Sequence, residues 1–257
     1  MLTWTASAGF DVLVGMQRWL AGHVRAMART YRTPTPEERA GAVAMLRAAL
    51  AHETPQQSGL PLRMSPATDD EGRPFTLLTD TRHGWGSLLL RTPADLLIEV
   101  PHPGSDRLTA RLGLELFHAI PATSLLVAGA HRNQVDVAHR TDSLFHTFAQ
   151  TLALPELQLH GFATRTAPDI DAVVSPGAGE PGEPHRTVEK ALVQQGFRTG
   201  HHERLAGRTN AQGIAAAADG RPFLHLELAP ALRDRHRAVV VEAIAKAVAD
   251  TRHQQRD

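Results

Sequence analysis

The stretch "DLLIEVPHPGSD", residues 95–106, decides the fold. Its apolar run, Leu96 to Val100, is short and interrupted by Glu99 alone, as expected of a buried-looking strand. Pro101 stops the run, and a stiff corner follows that carries His102, Pro103, Gly104, Ser105 and Asp106. Apolar residues then recur at helical spacing, which predicts a helix from about Leu108 to His118.

Strand, corner and helix repeat outward from this point. "FTLLT" and "GSLLLR" precede it as short β-compatible runs. "TSLLVAG" (123–129), "ELQLHG", "DIDAVVSPG" and "PFLHLEL" follow as further strands. Helices are predicted over "TDSLFHTFAQTLA", with Thr141 as N-cap, over "PHRTVEKALVQQG", with Gly196 past its end, and over the closing "LRDRHRAVVVEAIAKAVAD". From about residue 75 strands alternate with helices, the pattern of an α/β layered fold with a largely parallel sheet.

A helical pair comes first. Residues 10–29 place Phe10, Leu13, Val14, Met16, Leu20, Val24 and Met27 at helical spacing. A second helix starts at Thr35, with Pro36 at its first position and Glu38 completing a capping box, and ends near Glu53. The turn-rich residues 54–74 are read as a loop. The expected division is a helical segment, 1–70, packed on an α/β domain, 71–257. "SPGAGEPGEP" (175–184) is a surface loop or lid.

Composition narrows the function. The 257 residues, 42% hydrophobic, suffice for a large core. The 27 basic and 27 acidic residues balance, so neither nucleic acid nor an acidic tail is indicated. No run approaches a membrane span and the N-terminus lacks a basic n-region, so a cytoplasmic protein is expected. The chain has no cysteine, which leaves His, Asp and Glu as the only metal ligands.

In α/β sheets sites gather at the carboxyl ends of strands. Four such ends carry chemistry: His102 and Asp106; His131, Arg132, Asn133, Asp136, His139 and Arg140; His160; and His225, Glu227 and Arg233. His102 and Asp106, close together on a stiff turn, with His160 from another strand, make a three-ligand set for zinc with a position left for water. The plainer reading is a pair of hydrogen-bonded corner residues, since most of the 15 histidines cannot be ligands. Glu227, a carboxylate in an apolar strand, is either a general base or the partner of a nearby arginine. Arg132, Asn133 and Arg140 suit a grip on a substrate carboxylate or a polarised carbonyl. The loop "GRTNAQG" (207–213), with Asn210, has the make-up of a pocket wall. No Gly-x-Ser-x-Gly elbow supports a serine hydrolase.

Taken in order, "EVPHPGSD", "AGAHR…DVAHRTDSLFH", "LQLHGF", "RTNAQG" and "HLELAPALR" resemble the group of N-formylglutamate amidohydrolases and phage-type poly-γ-glutamate hydrolases, related in turn to the zinc carboxypeptidases. The resemblance spans residues 95–235. It implies a three-layer α/β/α sandwich with a mixed sheet and zinc-assisted hydrolysis of an amide bond in an acidic, N-acyl amino acid or γ-glutamyl substrate. By the resemblance His102, Asp106 and His160 hold Zn²⁺, Glu227 is the general base, and Arg132 or Arg140 serves the substrate site. The carboxypeptidases use His-x-x-Glu where this chain has His-x-x-x-Asp; Glu115, further down the helix, is the alternative carboxylate. That spacing also motivates a rival reading, a non-catalytic binding module with a decayed metal site.

Overall fold

The computed structural model describes residues 9–25, 31–53, 59–80 and 82–254. Eight strands form one mixed sheet in the order β1-β2-β3-β5-β4-β6-β8-β7. They are β1 (Leu62–Thr68), β2 (Pro74–Asp80), β3 (Ser87–Leu90), β4 (Leu96–Val100), β5 (Thr123–Val127), β6 (Glu156–Gly161), β7 (Ala172–Ser175) and β8 (Phe223–Leu228). The central strands β5, β4, β6 and β8 run parallel. The flanking pairs β1–β2, β2–β3, β3–β5 and β7–β8 are antiparallel.

Helices cover both faces: α1 (Gly9–Arg25), α2 (Pro36–Leu50), α3 (Thr109–Ala119), α4 (Leu144–Leu152), α5 (Glu183–Gln194), α6 (Ala211–Ala218), the short α7 (Pro230–Arg233) and α8 (Arg237–Gln254). Two large cores result. One joins α1, α3, α5 and α8 to Leu96, Ile98, Val100, Leu125, Leu157, Leu159, Leu224 and Leu226. The other joins α2 and α4 to Leu78, Leu88, Leu97 and Leu126. This is the expected three-layer sandwich. Its N-terminal helices straddle the sheet: Leu20 of α1 belongs to the first core, and Ala42, Met45, Leu46 and Ala49 of α2 to the second.

Local chemistry explains most boundaries. The Thr35 hydroxyl accepts from Glu38 N–H at 3.2 Å, while Thr35 N–H donates to Glu38 Oε2 at 2.8 Å, so the capping box forms as read. Helix α4 is capped by Ser143, not Thr141: Ser143 Oγ accepts from His146 N–H at 3.1 Å and donates to Arg140 O at 3.0 Å. Within the stretch read as a loop, Leu62–Thr68 forms strand β1. It lies at the sheet edge, where Pro66 removes no needed ladder donor on the open side. Met27 and residues 54–58 lie outside the described residues.

Alternation along the central strands sets up the site. Leucines at 157, 159, 224 and 226 face the first core. Their neighbours Glu156, Gln158, His160, His225 and Glu227 therefore face the opposite side, with Glu99 of β4. Register puts Glu99 beside Gln158, Gln158 beside His225, and His160 beside Glu227. A buried polar stripe thus climbs the parallel strands towards their carboxyl ends.

Candidate metal centre

His102 lies just past β4, Asp106 at the far side of the same corner, and His160 near the end of β6; all three are buried. His102 Nδ1 is 3.3 Å from Asp106 Oδ2, and His160 Nδ1 is 3.5 Å from the same oxygen. The imidazole centroids are 4.9 Å apart. The corner that makes this possible is tied by Asp106 N–H donating to His102 O at 2.9 Å, and Gly161 N–H reaches Asp106 Oδ2 at 3.2 Å.

The other ring nitrogens are committed elsewhere. His102 Nε2 donates to Asp136 Oδ1 at 2.8 Å. His160 Nε2 donates to Gln158 Oε1 at 2.8 Å; that amide must present its oxygen, because its nitrogen donates to Glu99 Oε2 at 2.8 Å. Asn210 Nδ2 donates to the same Gln158 oxygen at 2.5 Å. A neutral imidazole fixed in this way turns its Nδ1 lone pair towards the carboxylate, whereas a protonated one, the form favoured at His102, places a hydrogen there. Three electron-rich atoms facing one another repel unless a proton or a cation lies between them. Outer partners of this kind are what orient metal-bound histidines. His102, Asp106 and His160 therefore fit a divalent ion in residue type, spacing and orientation.

Electrostatics follow the same geometry. Burial pushes the Asp106 carboxyl up, but His102 and His160 outweigh it and hold it well below the usual range. Burial likewise opposes charge on His102, and its bonds to Asp106 and Asp136 win, raising its pKa. His160 is pulled down to about 4, chiefly by burial. His225, its ring tilted 35° against that of His160 with centroids 4.6 Å apart, is held neutral by burial. Gly207, at φ +61, lets the 207–210 loop lie against that ring: a Cβ there would stand 2.5 Å from His225 Cδ2.

Glu227 is half-buried, and its buried Oε2 has no hydrogen-bond partner among the described residues. Burial, reinforced by Asp106, raises its pKa to about 8. One ligand atom each from His160, His225 and Glu227 lie within 4.8 Å of one another, so the carboxylate stands beside the candidate centre.

The remaining expected residues are spread differently. Arg132 is exposed and donates to Asp136 Oδ2 at 2.7 Å, which joins it to His102. Arg140 engages Asp142 at 2.6 Å and Thr33 at 3.4 Å, outside the cluster. Asn133 is exposed, with its backbone N–H on His131 Nδ1. Asn210 is buried and holds Gln158 as described. Glu115 lies on the α3–α8 side of the sheet between Arg111 and Arg237, leaving Asp106 as the carboxylate that faces both imidazoles.

No protein-family model and no curated protein matches this sequence. Solved structures do. The N-formylglutamate amidohydrolase from Ralstonia eutropha JMP134 superposes with a TM-score of 0.52 at 12% identity, covering 65% of this chain and 98% of that one. A bacteriophage poly-gamma-glutamate hydrolase gives 0.47 at 13% identity, covering 77% and 93%. The succinylglutamate desuccinylase from Chromobacterium violaceum gives 0.43 at 14% identity, covering 79% and 75%. At these identities the likeness is one of fold. No helix among the described residues is long and apolar enough to cross a membrane.

Proposed function

We propose that the chain is a zinc-dependent amidohydrolase acting on an N-acyl amino acid or γ-glutamyl amide that carries a carboxylate. The observation that carries this reading is the orientation of His102 and His160: both Nδ1 atoms face Asp106 while both Nε2 atoms are held by acceptors. His102 Nδ1, an Asp106 oxygen and His160 Nδ1 would hold the ion. Zinc there supplies a Lewis acid for the substrate carbonyl and lowers the pKa of water at the site. The substrate class draws support from the amidohydrolase whose fold this chain shares.

The chain's own residues supply the rest. Glu227 Oε2, unpaired and beside His160, takes a proton from the attacking water and returns it to the amine nitrogen as the C–N bond breaks. Its raised pKa would keep it protonated at neutral pH, and positive charge in the centre favours the ionised form the base needs. Arg132, steadied by Asp136, offers its outer N–H groups to the carbonyl oxygen as negative charge develops there. Asn210 and Gln158 keep His160 turned to its task.

Glu227→Gln tests the assignment. It should bind zinc as wild type does and hydrolyse N-formyl-L-glutamate about 10²–10⁴-fold more slowly, the span of general-base contributions. A variant that keeps the wild-type rate refutes this role for Glu227.

A further inference from the structure

Glu99 is an acid at the middle of the sheet with no cation bonded to it. It lies on β4, between β5 and β6, and is fully buried. Its Oε2 accepts from Gln158 Nε2 at 2.8 Å, and its Oε1 has no hydrogen-bond partner among the described residues. The neighbours do not neutralise it. From β6, Glu156 brings a second buried carboxyl that acts on Glu99 through space. Arg221, the guanidinium that reaches this stripe, is spent on other partners: Glu156 Oε1 at 2.5 Å, Leu154 O at 2.8 Å and Asp219 Oδ2 at 3.2 Å. From α4, Gln150 meets Arg221 at 3.4 Å, and burial disfavours charge on His146. From α6 comes the uncharged Gln212, which accepts from Gln158 Nε2 at 3.2 Å and donates to Val137 O at 3.1 Å. A carboxyl withdrawn from water without a counter-charge is held most cheaply as the neutral acid. Burial, reinforced by Glu156, accordingly pushes Glu99 well above the usual carboxylate range.

A single amide connects this acid to the candidate metal centre. Gln158 Oε1 accepts the Nε2 proton of His160 at 2.8 Å, while Gln158 Nε2 donates to Glu99. The two bonds lie in series, so charge at one end polarises the other. A cation at His160 Nδ1 makes the Nε2–H a stronger donor and, through the amide, favours an ionised Glu99. An ionised Glu99 in return makes the Gln158 oxygen a better acceptor and His160 Nδ1 a better electron donor. His102 has the direct form of this arrangement, with Asp136 at 2.8 Å from its Nε2. At His160 a glutamine stands between ring and carboxyl.

We propose that Glu99 is a proton-linked positioning residue: a neutral acid in the metal-free chain, it gives its proton to solvent when a divalent ion enters the centre, and its carboxylate then steadies His160 through Gln158. For each ion bound, one O–H bond at Glu99 breaks and one proton reaches the buffer, which offsets half the charge brought into the interior. The proposal rests on the metal centre of the proposed function and not on the hydrolytic reaction.

Proton counting tests it. Zinc is titrated calorimetrically into the metal-free full chain at neutral pH, in buffers of different ionisation enthalpy, so that the protons released per ion are measured. Glu99→Gln keeps the shape and an acceptor for Gln158 Nε2 but has no proton to give. It should release about one proton fewer than wild type and bind zinc about tenfold more weakly, while its metal-free form keeps the wild-type urea midpoint. A lower midpoint with proton count and affinity unchanged is the result of a merely structural carboxyl, and it overturns the proposal. Infrared difference spectra of wild type hold the test even if the variant does not fold. Zinc should remove a buried carboxylic-acid C=O band, and a wild type without that loss overturns the proposal. Proton release that depends on Glu99, without hydrolysis of N-formyl-L-glutamate, keeps the proposal and sinks the amidohydrolase reading. Hydrolysis by a zinc-loaded chain whose proton release is the same in Glu99→Gln does the reverse.

Discussion

Replacing Gln158 with leucine probes the link between the buried stripe and the site. The side chains have similar volume, so packing changes little while four polar groups lose a partner, the fourth being Gln212 Oε1, which accepts from Gln158 Nε2 at 3.2 Å. His160 Nε2 and Asn210 Nδ2 lose the acceptor they hold at 2.8 and 2.5 Å, and Glu99 Oε2 loses the donor at 2.8 Å. Glu99 is already short of a partner at Oε1 and is fully buried. Each stranded group costs about 1–3 kcal/mol, so unfolding free energy should fall by at least about 3 kcal/mol. Zinc affinity should fall about 10–100-fold, because the ring of His160 loses the bond that orients it. Gln158→Glu separates the effects: it restores an acceptor for His160 but sets a second carboxylate against Glu99, so zinc binding recovers further than stability. Urea denaturation followed by circular dichroism reads the first quantity, and competition with a zinc chelator reads the second. A folded Gln158→Leu chain that binds zinc within about twofold of wild type would refute the reasoning.

Asp136→Ala removes the acceptor for His102 Nε2 and the partner of Arg132 in one step; zinc affinity should drop about 10–100-fold in chelator competition, with a slower rate on saturating zinc. Glu156 gives a pH signature. Burial, outweighing the neighbouring Arg221, raises its pKa to about 7, against about 4.3 in an unfolded chain. The folded state therefore binds the proton more tightly, and its stability declines as pH rises from about 4.3 to about 7. Urea midpoints measured across that interval should fall less steeply with pH in Glu156→Gln than in wild type.

The layered architecture was legible because strands such as β6 and β8 are apolar at every second position and helices α2 and α4 start at side-chain caps. Leu96–Val100 and Thr123–Val127 were legible from the short apolar runs Leu96–Ile98 and Leu125–Val127. Strand β1 escaped because Ser65 and Pro66 read as turn formers, and only an edge position lets a strand contain them. Helix α6 escaped because the glycines of "GRTNAQG" read as a turn, although the alanines from Ala215 to Ala218 favour a helix.

At the site, His102, Asp106, His160 and Glu227 stood out as polar residues ending apolar strands. Gln158 did not, although "ELQLHG" carries the signal: Glu156, Gln158 and His160 alternate with leucines that face a core. "FLHLEL" repeats it with His225 and Glu227. Two strands whose inward second face is polar mark a shared buried network. The contrast between Arg132 and Arg140 lies in the path of the 131–143 loop, a tertiary feature that no local spacing encodes.

The most direct measurement is zinc titration of the metal-free chain by equilibrium dialysis, followed by X-ray absorption on the loaded protein. The account predicts one tightly held ion per chain, with two imidazole nitrogens and a carboxylate oxygen at about 2.0–2.2 Å, and loss of one imidazole in His160→Ala. A chain that retains no zinc, or an ion whose inner sphere contains no imidazole, contradicts it.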